Sequence, residues 1–268
     1  MSGEKHKKEA SPGSHFSRVK QRHNLWKMAL YLLAAAAISS AVLIFLNLSQ
    51  PPKAALVDQL SLTFPNQSFI DNTTEILEQA GYTVDYYPGE EVTVDFFRDL
   101  PPHHYDVVIL RVHSGRPLLA NETLGDDVAL FSGELYDPEK YVEEEKAGLL
   151  GSAHYSYTNL SYFAITSSFV VSGMEGKFKD STVILMGCDG FRSNTMARAF
   201  AGKGVDAFIG WTEPVSASYT DAVTESLLKH LLIEKLPLPE AMVKTKAEVE
   251  PDQTYGSQLE AMYRQDED

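Results

Sequence analysis

Cysteine is almost missing from this 268-residue chain, which has one, Cys188. A lone cysteine makes no internal disulfide and cannot build a cysteine-rich zinc site, so the fold must be held by its own core. The 8 histidines are scattered without ligand spacing, and no metal is implied. A phosphate-cradling glycine loop is also missing, because Gly202-Lys203-Gly204 follows a helical stretch instead of opening one. No cofactor is implied. Positive charge is scarce, with 23 Lys and Arg against 37 Asp and Glu and a net charge of −14. Such a surface repels phosphate backbones and excludes nucleic acid as a partner class. There is no internal repeat, which excludes solenoids.

What the chain does contain begins with an uncharged run of 21 residues, 28–48, preceded by a segment with seven basic and two acidic residues. At about 1.5 Å of rise per residue the run is long enough for a hydrocarbon core of roughly 30 Å, so it is expected to be a transmembrane signal anchor. The basic flank, 1–27, predicts a cytoplasmic amino terminus and an extracytoplasmic remainder, a single-pass protein of the cell membrane. The remainder carries a net −19. Residues 49–53, with two prolines, are read as a spacer, 54–250 as one α/β domain, and 251–268 as an acidic tail. Sequons at Asn66, Asn72, Asn121 and Asn159 suit a glycosylated outer surface, although such tripeptides also arise by chance.

Periodicity within 54–250 alternates strand and helix. Apolar or β-rich runs at 54–57, 83–87, 105–112, 182–186 and 207–210 read as strands, and 69–80, 92–100, 193–202, 220–232 and 240–249 as helices. Runs apolar almost throughout suit parallel strands covered on both faces. The expected fold is therefore a doubly wound, mostly parallel sheet with helices on both faces. Between 116 and 180 the pattern loosens. Segments 128–131 and 135–136 suggest a hairpin around Ser132-Gly133, 141–146 a short helix, and 152–168 a polar Ser/Tyr/Thr stretch. So long an insertion between core strands is expected to be functional.

Two strands end on reactive side chains. Val107 to Val112 stops at His113-Ser114-Gly115, and Val183 to Met186 stops at Gly187-Cys188-Asp189. In open parallel sheets the crevice lies beyond the carboxyl ends of the strands, so His113 and Cys188 are expected to meet there. A thiol becomes a strong nucleophile as thiolate, and a neighbouring imidazole is a common activator. The alternative is that Cys188 is a small buried hydrophobe.

On these residues, and on the run from Ala201 to Gly210 and Pro239-Glu240-Ala241, the chain from 105 to about 249 resembles the caspase-like superfamily, the clan of caspases, gingipains, legumain, metacaspases and CHAT domains. The resemblance implies peptide or protein hydrolysis by a Cys188–His113 dyad. It also implies an oxyanion hole from backbone N–H groups of the turns at Ser114, Gly115 and Gly187. The chain departs from the family's His-Gly pattern by placing Ser114 before Gly115. Asp58 and Asp189, each just past a strand, are candidates for holding a basic substrate side chain, against the plainer reading of turn caps. The alternative function is a catalytically inactive caspase-like binding module at the cell surface.

Overall fold

The computed structural model describes residues 26–28, 30–40, 51–117, 125–155 and 159–264. The chain divides into two units, Met1–Gln50 and Pro51–Asp268. In the first unit, residues 26–28 and 30–40 are helical. Among the described residues no helix is long and apolar enough to cross a membrane. That overturns the expected transmembrane helix over 28–48. Its described part, 28 and 30–40, contains an unbroken run of eleven helical residues, about 16 Å at 1.5 Å per residue, roughly half of a hydrocarbon core. Positions 29 and 41–48 lie outside the described residues, as do 1–25 and the orientation argued from their charge.

The second unit is built on a six-stranded sheet. Its strands are β1 (Lys53–Asp58), β2 (Thr83–Pro88), β3 (Val107–Arg111), β8 (Ser181–Leu185), β9 (Val205–Trp211) and β10 (Leu259–Tyr263), in the order β2-β1-β3-β8-β9-β10. The first five run parallel and β10 is antiparallel to β9. Side chains alternate between two buried faces: Ala54, Leu56, Val107 and Ile109 point one way, Ala55, Val57, Val108 and Leu110 the other. Covering both faces is what makes these strands apolar throughout instead of alternating. The expected α/β architecture with a mostly parallel sheet is present.

On the first face lie α1 (Gln67–Gln79), α6 (Ala217–Leu228) and α7 (Leu238–Glu248), contributing Phe69, Leu77, Val223, Leu227 and Ala241. On the second lie α2 (Val94–Asp99), α4 (Ser167–Ser172) and α5 (Thr195–Gly202), contributing Phe97, Phe169 and Phe200. The short α3 (Val142–Lys146) falls where the acidic run predicts it.

The insertion carries a second sheet, ordered β4-β5-β7-β6, from β4 (Ser114–Gly115), β5 (Ala129–Leu135), β6 (Leu150–His154) and β7 (Ser161–Ile165). Here the structure corrects the hairpin around Ser132-Gly133, because β5 runs straight through it with a register shift between Phe131 and Leu135. Ser132 is fully buried and its hydroxyl donates to the Phe163 carbonyl at 2.8 Å. Gly133 passes the Gly89 carbonyl so closely that a Cβ would stand 1.8 Å from its oxygen. Two supposed turn residues are thus a bulge. Two boundaries also move. Lys53 already belongs to β1, and the acidic tail read at 251–268 supplies β10, with 265–268 outside the described residues.

Candidate active-site cleft

Strand order reverses between β1 and β3, the point at which open α/β sheets bind ligands beyond the carboxyl ends of their strands. A cleft of about 530 Å³ opens there, walled by Leu60 and Phe64 after β1, His113 after β3, Gly187 and Cys188 after β8, and Val215 to Ser218, Thr220 and Asp221 after β9. Both members of the expected dyad therefore line one cavity. The turns that carry them are tied together. A Cβ on Gly187 would lie 2.3 Å from Ser114 Oγ and 2.6 Å from the Val112 carbonyl oxygen, so only glycine permits this approach. Ser114 Oγ in turn donates to the Cys188 carbonyl at 2.6 Å. Ser114 and Gly115 form β4, and Gly115 pairs with Ala129 of β5.

His113 is held on several sides by residues that sequence reasoning missed. Its backbone N–H donates to Gln59 Oε1 at 2.9 Å, and its Nε2 lies 2.9 Å from Thr63 Oγ1. The ring packs against Tyr155 at 4.5 Å, Phe64 at 5.8 Å and Phe131 at 5.9 Å between centroids. Burial, with the Arg111 charge as a second cause, depresses the imidazole pKa to about 4, so His113 is neutral near pH 7. The Cys188 sulfur accepts from the Val215 N–H at 3.4 Å and donates to the Val215 carbonyl at 3.7 Å. Burial raises the thiol pKa, and the Asp189 carboxylate adds to the rise, so the resting group is a thiol. Among the described residues no hydrogen bond joins this sulfur to the imidazole.

The two candidate pocket aspartates stand elsewhere. Asp58 is buried and its Oδ1 accepts from Arg111 Nη1 at 2.7 Å, while Tyr86 donates to its Oδ2 at 3.2 Å. Arg111 also donates from Nε and Nη2 to Asp221 at 2.8 and 2.9 Å and to the Phe64 carbonyl at 2.9 Å. Burial raises the Asp58 carboxyl pKa, and the Arg111 charge offsets this only in part. Asp58 and Asp189 are not among the residues that wall the cleft. Its carboxylate is Asp221, already claimed by Arg111 and by Asn66 Nδ2 at 2.9 Å. Asp189 lies in the left-handed region at φ 61°, its N–H donating to the Glu213 carbonyl at 3.2 Å. The Asp58 carboxylate is thus committed to Arg111 and Tyr86.

Asn66 Oδ1 caps α1 at the Phe69 N–H, so both ends of its amide are engaged, whereas Asn72 and Asn159 are exposed and Asn121 lies outside the described residues. Among the described residues, no group of three or more His, Cys, Asp or Glu is placed to hold a metal ion. One signal for the missed residues was available: a charged Arg111 inside the run Val107-Val108-Ile109-Leu110-Arg111-Val112 demands buried carboxylates, which Asp58 and Asp221 supply. Gln59 and Thr63 are ordinary polar residues that nothing in the linear pattern sets apart. No family model matches the chain, and no curated protein matches it.

Proposed function

We propose that the second unit is a cysteine endopeptidase of caspase-like type in which Cys188 is the nucleophile and His113 the acid-base group. The observation carrying this reading is their shared cleft at the carboxyl ends of the adjacent strands β3 and β8, with the Gly187 and Ser114 turns locked together. Neutral thiol and neutral imidazole imply that no ion pair pre-exists. The thiol proton passes to His113 as sulfur attacks the peptide carbonyl, forming the S–C bond. His113 then protonates the leaving amine as the C–N bond breaks, and water hydrolyses the thioester to regenerate the thiol. Backbone N–H groups of the Ser114–Gly115 and Gly187–Cys188 turns are the donors for the oxyanion, each worth about 10²–10³ in rate at such a site. To free its sulfur Cys188 must give up Val215, so a rotation about χ1 precedes attack.

A second reading, a binding module with an inert cysteine, is favoured by one observation. The thiol is half-buried, held by Val215 and raised in pKa. A peptide electrophile that alkylates thiols separates the two. The peptidase reading expects the purified chain to be labelled at Cys188 at neutral pH, with His113→Ala slowing labelling at least 100-fold. Peptide hydrolysis that survives Cys188→Ala sinks that reading.

A further inference from the structure

One side chain outside the dyad stands within hydrogen-bond distance of the imidazole. Thr63 follows the 3-10 turn Gln59–Leu62 that leaves β1, and its Oγ1 has two neighbours: His113 Nε2 at 2.9 Å and the Leu60 carbonyl at 3.4 Å. A hydroxyl has one proton to give. If that proton goes to Nε2, the ring hydrogen must sit on Nδ1, and the second nitrogen then has no lone pair for the thiol proton. If it turns away from the ring, to the cleft or to the Leu60 carbonyl that the Thr63 and Phe64 N–H groups also engage, Oγ1 accepts from Nε2–H and Nδ1 is the base. Only the second arrangement also accommodates an imidazolium, whose two nitrogens both donate. We infer that Thr63 is a positioning residue that holds His113 as the Nε2–H tautomer and so presents Nδ1 to the Cys188 proton.

The inference rests on the peptidase reading for its purpose, not for its geometry. Three surrounding features support it. The Thr63 loop is fixed, since its Thr63 and Phe64 N–H groups both donate to the Leu60 carbonyl and the Phe64 carbonyl accepts from buried Arg111. The His113 backbone is fixed separately by Gln59, so loss of the Thr63 hydroxyl leaves the turn in place. Tyr155 and Phe64 pack against the ring and limit its flip. Because a hydroxyl is uncharged, it chooses the tautomer without raising basicity, consistent with an imidazole that stays neutral near pH 7.

The test is ¹⁵N NMR of histidine-labelled full-length chain, with the His113 signals assigned by their loss in His113→Gln, read beside peptide hydrolysis. Above pH 6, wild type is expected to show protonated Nε2 and bare Nδ1, Thr63→Val to lose that preference, and Thr63→Ser to keep it. Turnover of Thr63→Val should fall about 100-fold with KM little changed, and Thr63→Ser should restore it. Protonated Nδ1 in wild type, or a tautomer indifferent to Thr63→Val, overturns the inference. A tautomer that follows Thr63 in a chain that hydrolyses no peptide sinks the peptidase reading and supports the role of Thr63.

Discussion

At the residue scale, His113 couples the candidate chemistry to stability. Its pKa of about 4 in the folded chain lies below the ordinary 6.5, because burial and the Arg111 charge disfavour the imidazolium. Between these values the unfolded chain binds a proton that the folded chain refuses, so stability is complete above pH 6.5 and declines as pH falls towards 4. The decline from this group is at most about 3.5 kcal/mol, since each pKa unit is worth about 1.4 kcal/mol. His113→Gln cannot take up that proton. Denaturant titrations of wild type and variant at pH 7 and pH 4.5 are expected to show the smaller pH dependence in the variant, and equal dependence would mean the imidazole is solvated in the folded chain. The same residue shows what was legible in the sequence. His113 and Cys188 are visible because each interrupts an apolar run at a strand end. Thr63, Gln59 and Tyr155 are not, because their value lies in contacts spanning 42 to 96 positions of sequence.

At the scale of elements, strands β1, β3, β8 and β9 are legible because both their faces are buried and their sequences stay apolar for three or more residues. The second sheet is hidden in the sequence. β6 has the pattern Leu-Gly-Ser-Ala-His with only Leu150 buried, so no apolar run announces it, and the β5 bulge carries Ser and Gly that resemble a turn. β10 looks like tail because an edge strand packed along one side keeps charge on the other. The contact between the β3 and β8 turns is the element-level feature with the sharpest consequence. Gly187→Ala must displace both Ser114 Oγ and the Val112 carbonyl, and overpacking of this kind costs about 1–3 kcal/mol. Ser114→Ala alone loses one hydrogen bond to the Cys188 carbonyl, about 1 kcal/mol. In the Ser114→Ala background Gly187→Ala should cost less, since the nearer obstacle is gone, yet some cost should persist because the Val112 oxygen is backbone. A double-mutant cycle by denaturant unfolding measures this coupling, and strict additivity would show that the two turns do not touch.

For the whole second unit, the consequence of interest is that its last residues close both the sheet and the cleft. Leu259 is buried in the core beside β9, and the ladder from Leu259 to Tyr263 covers the β9 edge. The connection before it is bonded as well: the Glu213 N–H donates to Ser257 Oγ at 3.2 Å, Ser257 Oγ donates to the Glu213 carbonyl at 3.0 Å, and the Thr212 N–H donates to the Gln258 carbonyl at 3.0 Å. Beyond the strand, Arg264 pairs with Asp206 at 2.6 Å and Asp180 at 3.0 Å, though these exposed ion pairs contribute little. Tyr255 in the same segment borders the cleft. A chain ending at Glu250 therefore loses the cover over Trp211, leaves the N–H and C=O groups of β9 open along its edge, and removes one wall of the site. Such an edge recruits other chains. The truncated protein is expected to unfold at lower denaturant and to elute from size exclusion as aggregates, whereas Leu259→Ala in the full chain should remain monodisperse and lose about 2–5 kcal/mol, the usual range for a buried leucine. If the chain ending at Glu250 matches the full chain in denaturant midpoint and elution, β10 is an accessory strand, and the six-stranded sheet is complete in function at five.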